Sequence, residues 1–97
     1  MSSMARLILM TSQASKSFKL TERLTTIGRS PASTIMVEDT ACSRKHCMIK
    51  RELDSYTIID LSSANGVQVN GEKVKEHILR ADDRIKIGST SFIFKET

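Results

Sequence analysis

Apolar residues recur at every second position along most of this chain, in short runs cut by turn residues. Arg84-Ile85-Lys86-Ile87-Gly88 alternates, and so does Val67-Gln68-Val69. Ser55-Tyr56-Thr57-Ile58-Ile59-Asp60 is rich in β-formers and ends in a turn cluster, Ser62-Ser63-Ala64-Asn65-Gly66. A period of two sends alternate side chains to opposite faces of a strand, whereas a helix needs 3.6. Further strands are expected at Arg6 to Thr11, Ser17 to Leu20, Leu24 to Ile27, Thr34 to Val37, His46 to Lys50 and Thr90 to Lys95. Glu72 to Leu79 fits one helical turn or a further strand; we read a short strand near Val74 and another near Ile78. Asn70-Gly71 joins two strands, as a type I′ turn requires positive φ at both central residues. Many short strands between turns define an all-β chain, a two-sheet antiparallel sandwich or a small barrel.

Ninety-seven residues suit one domain, expected to span 1–97. Aromatic residues are 4% of the chain, so its core must be mostly Ile, Leu, Val and Met. The apolar runs fall short of the ~20 residues of a membrane helix. Leu7 to Met10 is too brief for a secretory signal, so a cytoplasmic chain off the membrane is expected. Cys42 and Cys47 read as free, packed thiols. His46 and Cys47 would point to opposite faces of a strand, and no second ligand pair follows, so no metal is expected. No cofactor is expected either. The absence of a phosphate-cradling GxxxxGK and of a nucleophile elbow argues against an enzyme.

The net charge of +4 leans toward an acidic partner: nucleic acid, phosphopeptide or anionic membrane. Arg44-Lys45 and Lys50-Arg51 would suit nucleic acid, but stacking aromatics are scarce, so no nucleic acid is expected. Three loops carry chemistry: Gly28 to Pro31, Asp39 to His46 and Ser62 to Gly66. A sandwich gathers its loops at two ends, so strands of suitable direction would bring all three to one apex. They would supply arginines, a small hydroxyl and a side-chain amide, the groups that hold a phosphate.

In order, Gly28-Arg29, Ser43-Arg44-Lys45-His46, Asn65-Gly66 and Asn70-Gly71 resemble the motifs of a forkhead-associated (FHA) domain, over nearly the whole chain. The resemblance implies an eleven-stranded sandwich whose apical loops bind phosphothreonine peptides. Arg29 would pair with the phosphate, its planar fork suiting bidentate contact. Ser43 would donate its hydroxyl and its backbone N–H to a phosphate oxygen, and Arg44 would add a second positive contact. Asn65 would bond the peptide backbone beside the phosphothreonine. Gly28, His46 and Gly66 would support the site, with His46 bracing the loop of Ser43 rather than acting as a base. Asn70 and Gly71 would form a hairpin turn away from the ligand. Two positions depart from the family pattern: Ala64 stands where Ser or Thr is common, and Val67 where Thr is frequent. The family prefers threonine by gripping its γ-methyl; burying one methyl is worth about 0.8 kcal/mol, roughly fourfold. The implied function is a phosphothreonine-dependent interaction module, a domain of a larger signalling protein or complex. The alternative is a phospho-independent interaction or oligomerisation domain of the same fold, which Ala64 motivates.

Overall fold

The computed structural model describes residues 5–10 and 15–96. Eleven strands follow one another: β1 (Ala5–Met10), β2 (Ser15–Lys19), β3 (Leu24–Gly28), β4 (Ile35–Met36), β5 (Cys47–Glu52), β6 (Ser55–Asp60), β7 (Val67–Val69), β8 (Glu72–Val74), β9 (Glu76–Ile78), β10 (Arg84–Ile87) and β11 (Thr90–Glu96). The segment open to helix or strand is β8 and β9. The end expected at Thr11 lies outside the described residues.

The strands form two sheets, one ordered β2-β1-β11-β10-β7-β8 and the other β4-β3-β5-β6-β9. Their pairings are antiparallel except one: β3 and β4 run parallel, with Ile27 opposite Ile35 and Gly28 opposite Met36. The two-sheet antiparallel sandwich is as expected, with this two-residue parallel pair as its one exception among the described residues. The segment Ser30–Thr34 carries the chain back so that β4 runs beside β3, and the strand expected over Thr34 to Val37 shrinks to two residues. Reciprocal hydrogen bonds between Thr26 and Thr34 hold this crossover: each backbone N–H donates to the other hydroxyl, at 3.2 and 2.8 Å.

The period of two is visible in the burial. Ile85 and Ile87 are buried while Arg84 and Lys86 are exposed, and Tyr56 and Ile58 are buried along β6. Leu7, Ile27, Ile49, Ile58, Phe92 and Phe94 meet between the sheets in a core that is mostly Ile, Leu and Val with three aromatic rings, and the described methionines, expected there, are not among its buried residues. Tyr56 and Phe94 tilt against each other at 5.5 Å between ring centroids. Val67 is fully buried, so the valine at this position packs the core.

Antiparallel pairing of β3, β5 and β6 places the end of β3, the start of β5 and the end of β6 at one pole. The Asn70-Gly71 turn lies at the other. Asn70 takes φ 53° and Gly71 φ 87°, as a type I′ turn demands. Asn70 Nδ2 donates to Asp83 Oδ1 at 2.9 Å, and its Oδ1 accepts the Arg84 N–H at 2.9 Å. The turn thereby ties the β7–β8 hairpin to the start of β10, away from the three loops.

Candidate functional site

The three loops meet at the pole where β3 ends, and backbone bonds carry the β3–β5 ladder into them. His46 N–H donates to Ile27 O at 3.1 Å, Arg29 N–H to Ser43 O at 3.0 Å and Ser30 N–H to Arg44 O at 3.1 Å. Gly28 is the residue that permits this approach, because a Cβ there would overlap the Arg44 carbonyl oxygen.

His46 is the centre of the construction. It is fully buried, and both ring nitrogens are engaged. Nδ1 accepts the Ser43 N–H at 2.9 Å, and Nε2 lies 2.8 Å from Gly66 O. An Nδ1 that accepts leaves the proton on Nε2, which then donates to the Gly66 carbonyl. One imidazole thus fastens the Ser43 loop to the Asn65-Gly66 loop. The same two bonds use both ring nitrogens as a brace between the loops. They also correct one expectation. The Ser43 N–H is used by His46, so the hydroxyl is the donor that Ser43 keeps for a ligand.

That hydroxyl is oriented in turn. Ser43 Oγ accepts the Ala64 N–H at 2.9 Å, which leaves its O–H available as a donor. Ala64 therefore takes part in the site through its backbone, although its side chain offers no hydroxyl. Asn65 Nδ2 donates to Ala41 O at 2.7 Å, which pins the second loop to the third and leaves Oδ1 as an acceptor. Ser63 Oγ closes the third loop by accepting the Gly66 N–H at 2.9 Å. Gly66 sits at φ 79°, in the region that favours glycine. The Arg29 Nε donates to Cys42 O at 3.1 Å, which fastens the exposed Arg29 side chain to the second loop. Arg29 and Arg44 are exposed, and the Arg44 carbonyl is already used by Ser30.

Sequence reasoning missed the anchor behind the second loop. Asp39 Oδ1 accepts the Ala41 N–H at 2.9 Å, and Oδ2 accepts the Ser89 N–H and the Thr90 hydroxyl, both at 2.7 Å. Those bonds, led by that of Thr90, hold its carboxyl below the usual carboxylate range. Asp39-Thr40-Ala41 has the form of an Asx turn, which was the available local signal. Its partners fifty residues away had none. Cys42 and Cys47 are free and buried; burial pushes both thiols up, and the Cys47 thiol far up. Among the described residues no His/Cys/Asp/Glu group is arranged to hold a metal ion.

The fold and these loops define a β-sandwich with two exposed arginines, a serine hydroxyl and an asparagine amide gathered at one apex. Residues 25–88 match the model of the FHA domain, and the chain belongs to that family. It is 35% identical over 79 residues to an oxoglutarate dehydrogenase inhibitor of Corynebacterium diphtheriae, covering 81% of this chain and 55% of that protein. The chain spans about half the length of the curated relatives it matches. The crystal structure of the FHA domain of the CT664 protein from Chlamydia trachomatis superposes with a TM-score of 0.93 at 28% identity, covering 97% of this chain and 98% of that one. An FHA domain studied for its phosphothreonine-dependent interactions superposes with a TM-score of 0.89 at 29% identity, with 95% of each chain covered.

Proposed function

We propose that this chain binds phosphothreonine-containing peptides through its apical loops and serves as a non-enzymatic regulatory module of a larger protein or complex. The observation that carries the reading is the convergence of Arg29, Ser43 and Asn65 on loops locked by His46, each with its ligand-facing group left over after its structural bond. Phosphothreonine brings nearly two negative charges and three acceptor oxygens. Arg29 supplies the fork, Ser43 the short hydroxyl donor and Arg44 further positive charge. Asn65 Oδ1 receives a backbone N–H of the peptide and so sets its register. Because these groups are held before the ligand arrives, little ordering cost falls on binding. The loss of a Ser or Thr side chain at Ala64 weakens the site without removing it, since Ser43 is still oriented by the Ala64 N–H.

The test is a calorimetric titration of a phosphothreonine peptide into wild type and Arg29→Ala. Removing a charge-assisted contact worth about 1.5–3 kcal/mol lowers affinity at least tenfold. An Arg29→Ala protein that binds as tightly as wild type refutes the proposal.

A further inference from the structure

The outer face of the six-stranded sheet is basic from edge to edge. Cross-strand partners share a face, so the register reads it directly. Lys73 pairs with Gln68, Gln68 with Lys86 and Lys86 with Ser91. One step along the strands, Arg84 pairs with Ile93, Ile93 with Ile8 and Ile8 with Ser17. A further step on, Lys95 pairs with Arg6 and Arg6 with Lys19. The face therefore carries Lys73, Lys86, Arg84, Lys95, Arg6 and Lys19. No acidic residue of the six strands shares it, since alternation turns Glu72 and Glu96 to the other side, and the Asp82 carboxylate meets it at Lys95. Lys95 is paired with Asp82; the other five have no carboxylate partner among the described residues. A chain with a net charge of only +4 has thus collected its excess on one sheet.

This face runs into the apex. The aliphatic stem of Lys73 lies against Gly66, where a Cβ would strike it, so its ammonium starts the basic strip beside Asn65-Gly66. Strands lie about 4.8 Å apart, which puts Lys86 roughly 10 Å from Lys73 and Lys19 roughly 27 Å away diagonally. About four extended residues reach Lys86 and Arg84, and about eight reach Lys19. Resting on the phosphothreonine reading above, we propose that the outer face of the six-stranded sheet binds an acidic segment flanking the phosphothreonine of the same partner. Continuity with the apex favours a single peptide over a separate ligand. The rest of the face is Gln68, the serines Ser15, Ser17 and Ser91, and the apolar Ile8, Ile93 and Met10, with no aromatic platform for nucleic-acid bases.

The experiment is fluorescence anisotropy with labelled phosphothreonine peptides that carry four or eight Glu on either side, or Gln in their place. The proteins are wild type and the triple variant Lys19→Ala, Arg84→Ala, Lys86→Ala, whose exposed sites leave the core and the apical loops intact. Exposed charge pairs each contribute little but add along the tract, so the four-Glu tract on the correct side tightens binding about tenfold. The gain grows with eight Glu, shrinks with added salt, and vanishes in the triple variant while the plain phosphopeptide binds both proteins alike. Equal affinity for Glu and Gln tracts, or a gain that survives in the triple variant, overturns the proposal. If the plain phosphopeptide fails to bind at all, the phosphothreonine reading falls. The face is then judged by the unphosphorylated eight-Glu peptide, where salt-sensitive binding lost in the triple variant supports it and no binding overturns it. Vesicles with 30% phosphatidylserine form the last arm: sedimentation of wild type but not the variant, with no tract effect, assigns the face to lipid and overturns the proposal.

Discussion

Replacing His46 by alanine tests the central brace. The side chain is fully buried, and its two bonds, at 2.9 and 2.8 Å, satisfy the Ser43 N–H and the Gly66 carbonyl. Alanine reaches neither. Each buried group left without a partner costs about 1–3 kcal/mol, and the space vacated by the ring adds a cavity term, for a total of about 3–5 kcal/mol. That is a large share of the 5–15 kcal/mol by which a domain is typically stable. With a urea m-value of about 1.5 kcal/mol/M, the unfolding midpoint drops by about 2–3 M. His46→Asn, which can return an acceptor to the Ser43 N–H alone, recovers roughly half of the loss. Phosphopeptide affinity also falls, because the Ser43 and Asn65 loops keep only the Asn65–Ala41 and Ala64–Ser43 bonds between them. The assay is urea unfolding of wild type, His46→Ala and His46→Asn, followed by phosphopeptide titration below the transition. A His46→Ala midpoint within about 0.5 M of wild type would refute the reasoning, since two orphaned groups and a cavity cannot cost so little.

Three further outcomes are expected. Gly28→Ala drives a Cβ into the Arg44 carbonyl; the strain of about 1–3 kcal/mol lowers the melting temperature by several degrees or more in a thermal scan. Ala64→Ser restores a hydroxyl at the apex and tightens phosphopeptide binding up to about tenfold by calorimetry. Asp39 and Asp83 are both held below the usual carboxylate value of 3.8, the first by the Thr90, Ala41 and Ser89 bonds. For Asp83, burial opposes ionisation, and the bonds from Arg80, Asn70 and His77 outweigh it. A carboxylate depressed in the folded state stabilises above its unfolded value and loses that contribution as pH falls through the folded one. Urea midpoints are therefore flat on these groups' account above about pH 5 and fall below about pH 3.8; the fall is shallower in Asp39→Asn.

Much of the architecture was legible because β-structure writes its period into the sequence. The alternation of Arg84 to Ile87 and the Asn70-Gly71 pair appear in the structure as read, since they depend on neighbours in the chain. The meeting of three loops was legible because antiparallel pairing of β3, β5 and β6 leaves their ends at one pole. What escaped depends on partners distant in sequence. The parallel β3–β4 pairing spans only two residues and rests on the Thr26–Thr34 exchange, for which alternation carries no signal. Asp39 reaches Ser89 and Thr90 across the sandwich. The choice of His46 Nδ1 as the acceptor for the Ser43 N–H, rather than a ligand, follows from loop geometry alone. The basic face needed the register of six strands, because its cations are scattered from Arg6 to Lys95 in sequence.

Phosphothreonine recognition is tested by titrating the protein with a degenerate phosphothreonine peptide library beside its unphosphorylated and phosphoserine versions. Binding confined to the phosphothreonine set, with phosphoserine weaker by at least the roughly fourfold worth of one methyl, is the predicted result. Equal binding of the unphosphorylated set, or no binding to any set, would contradict it.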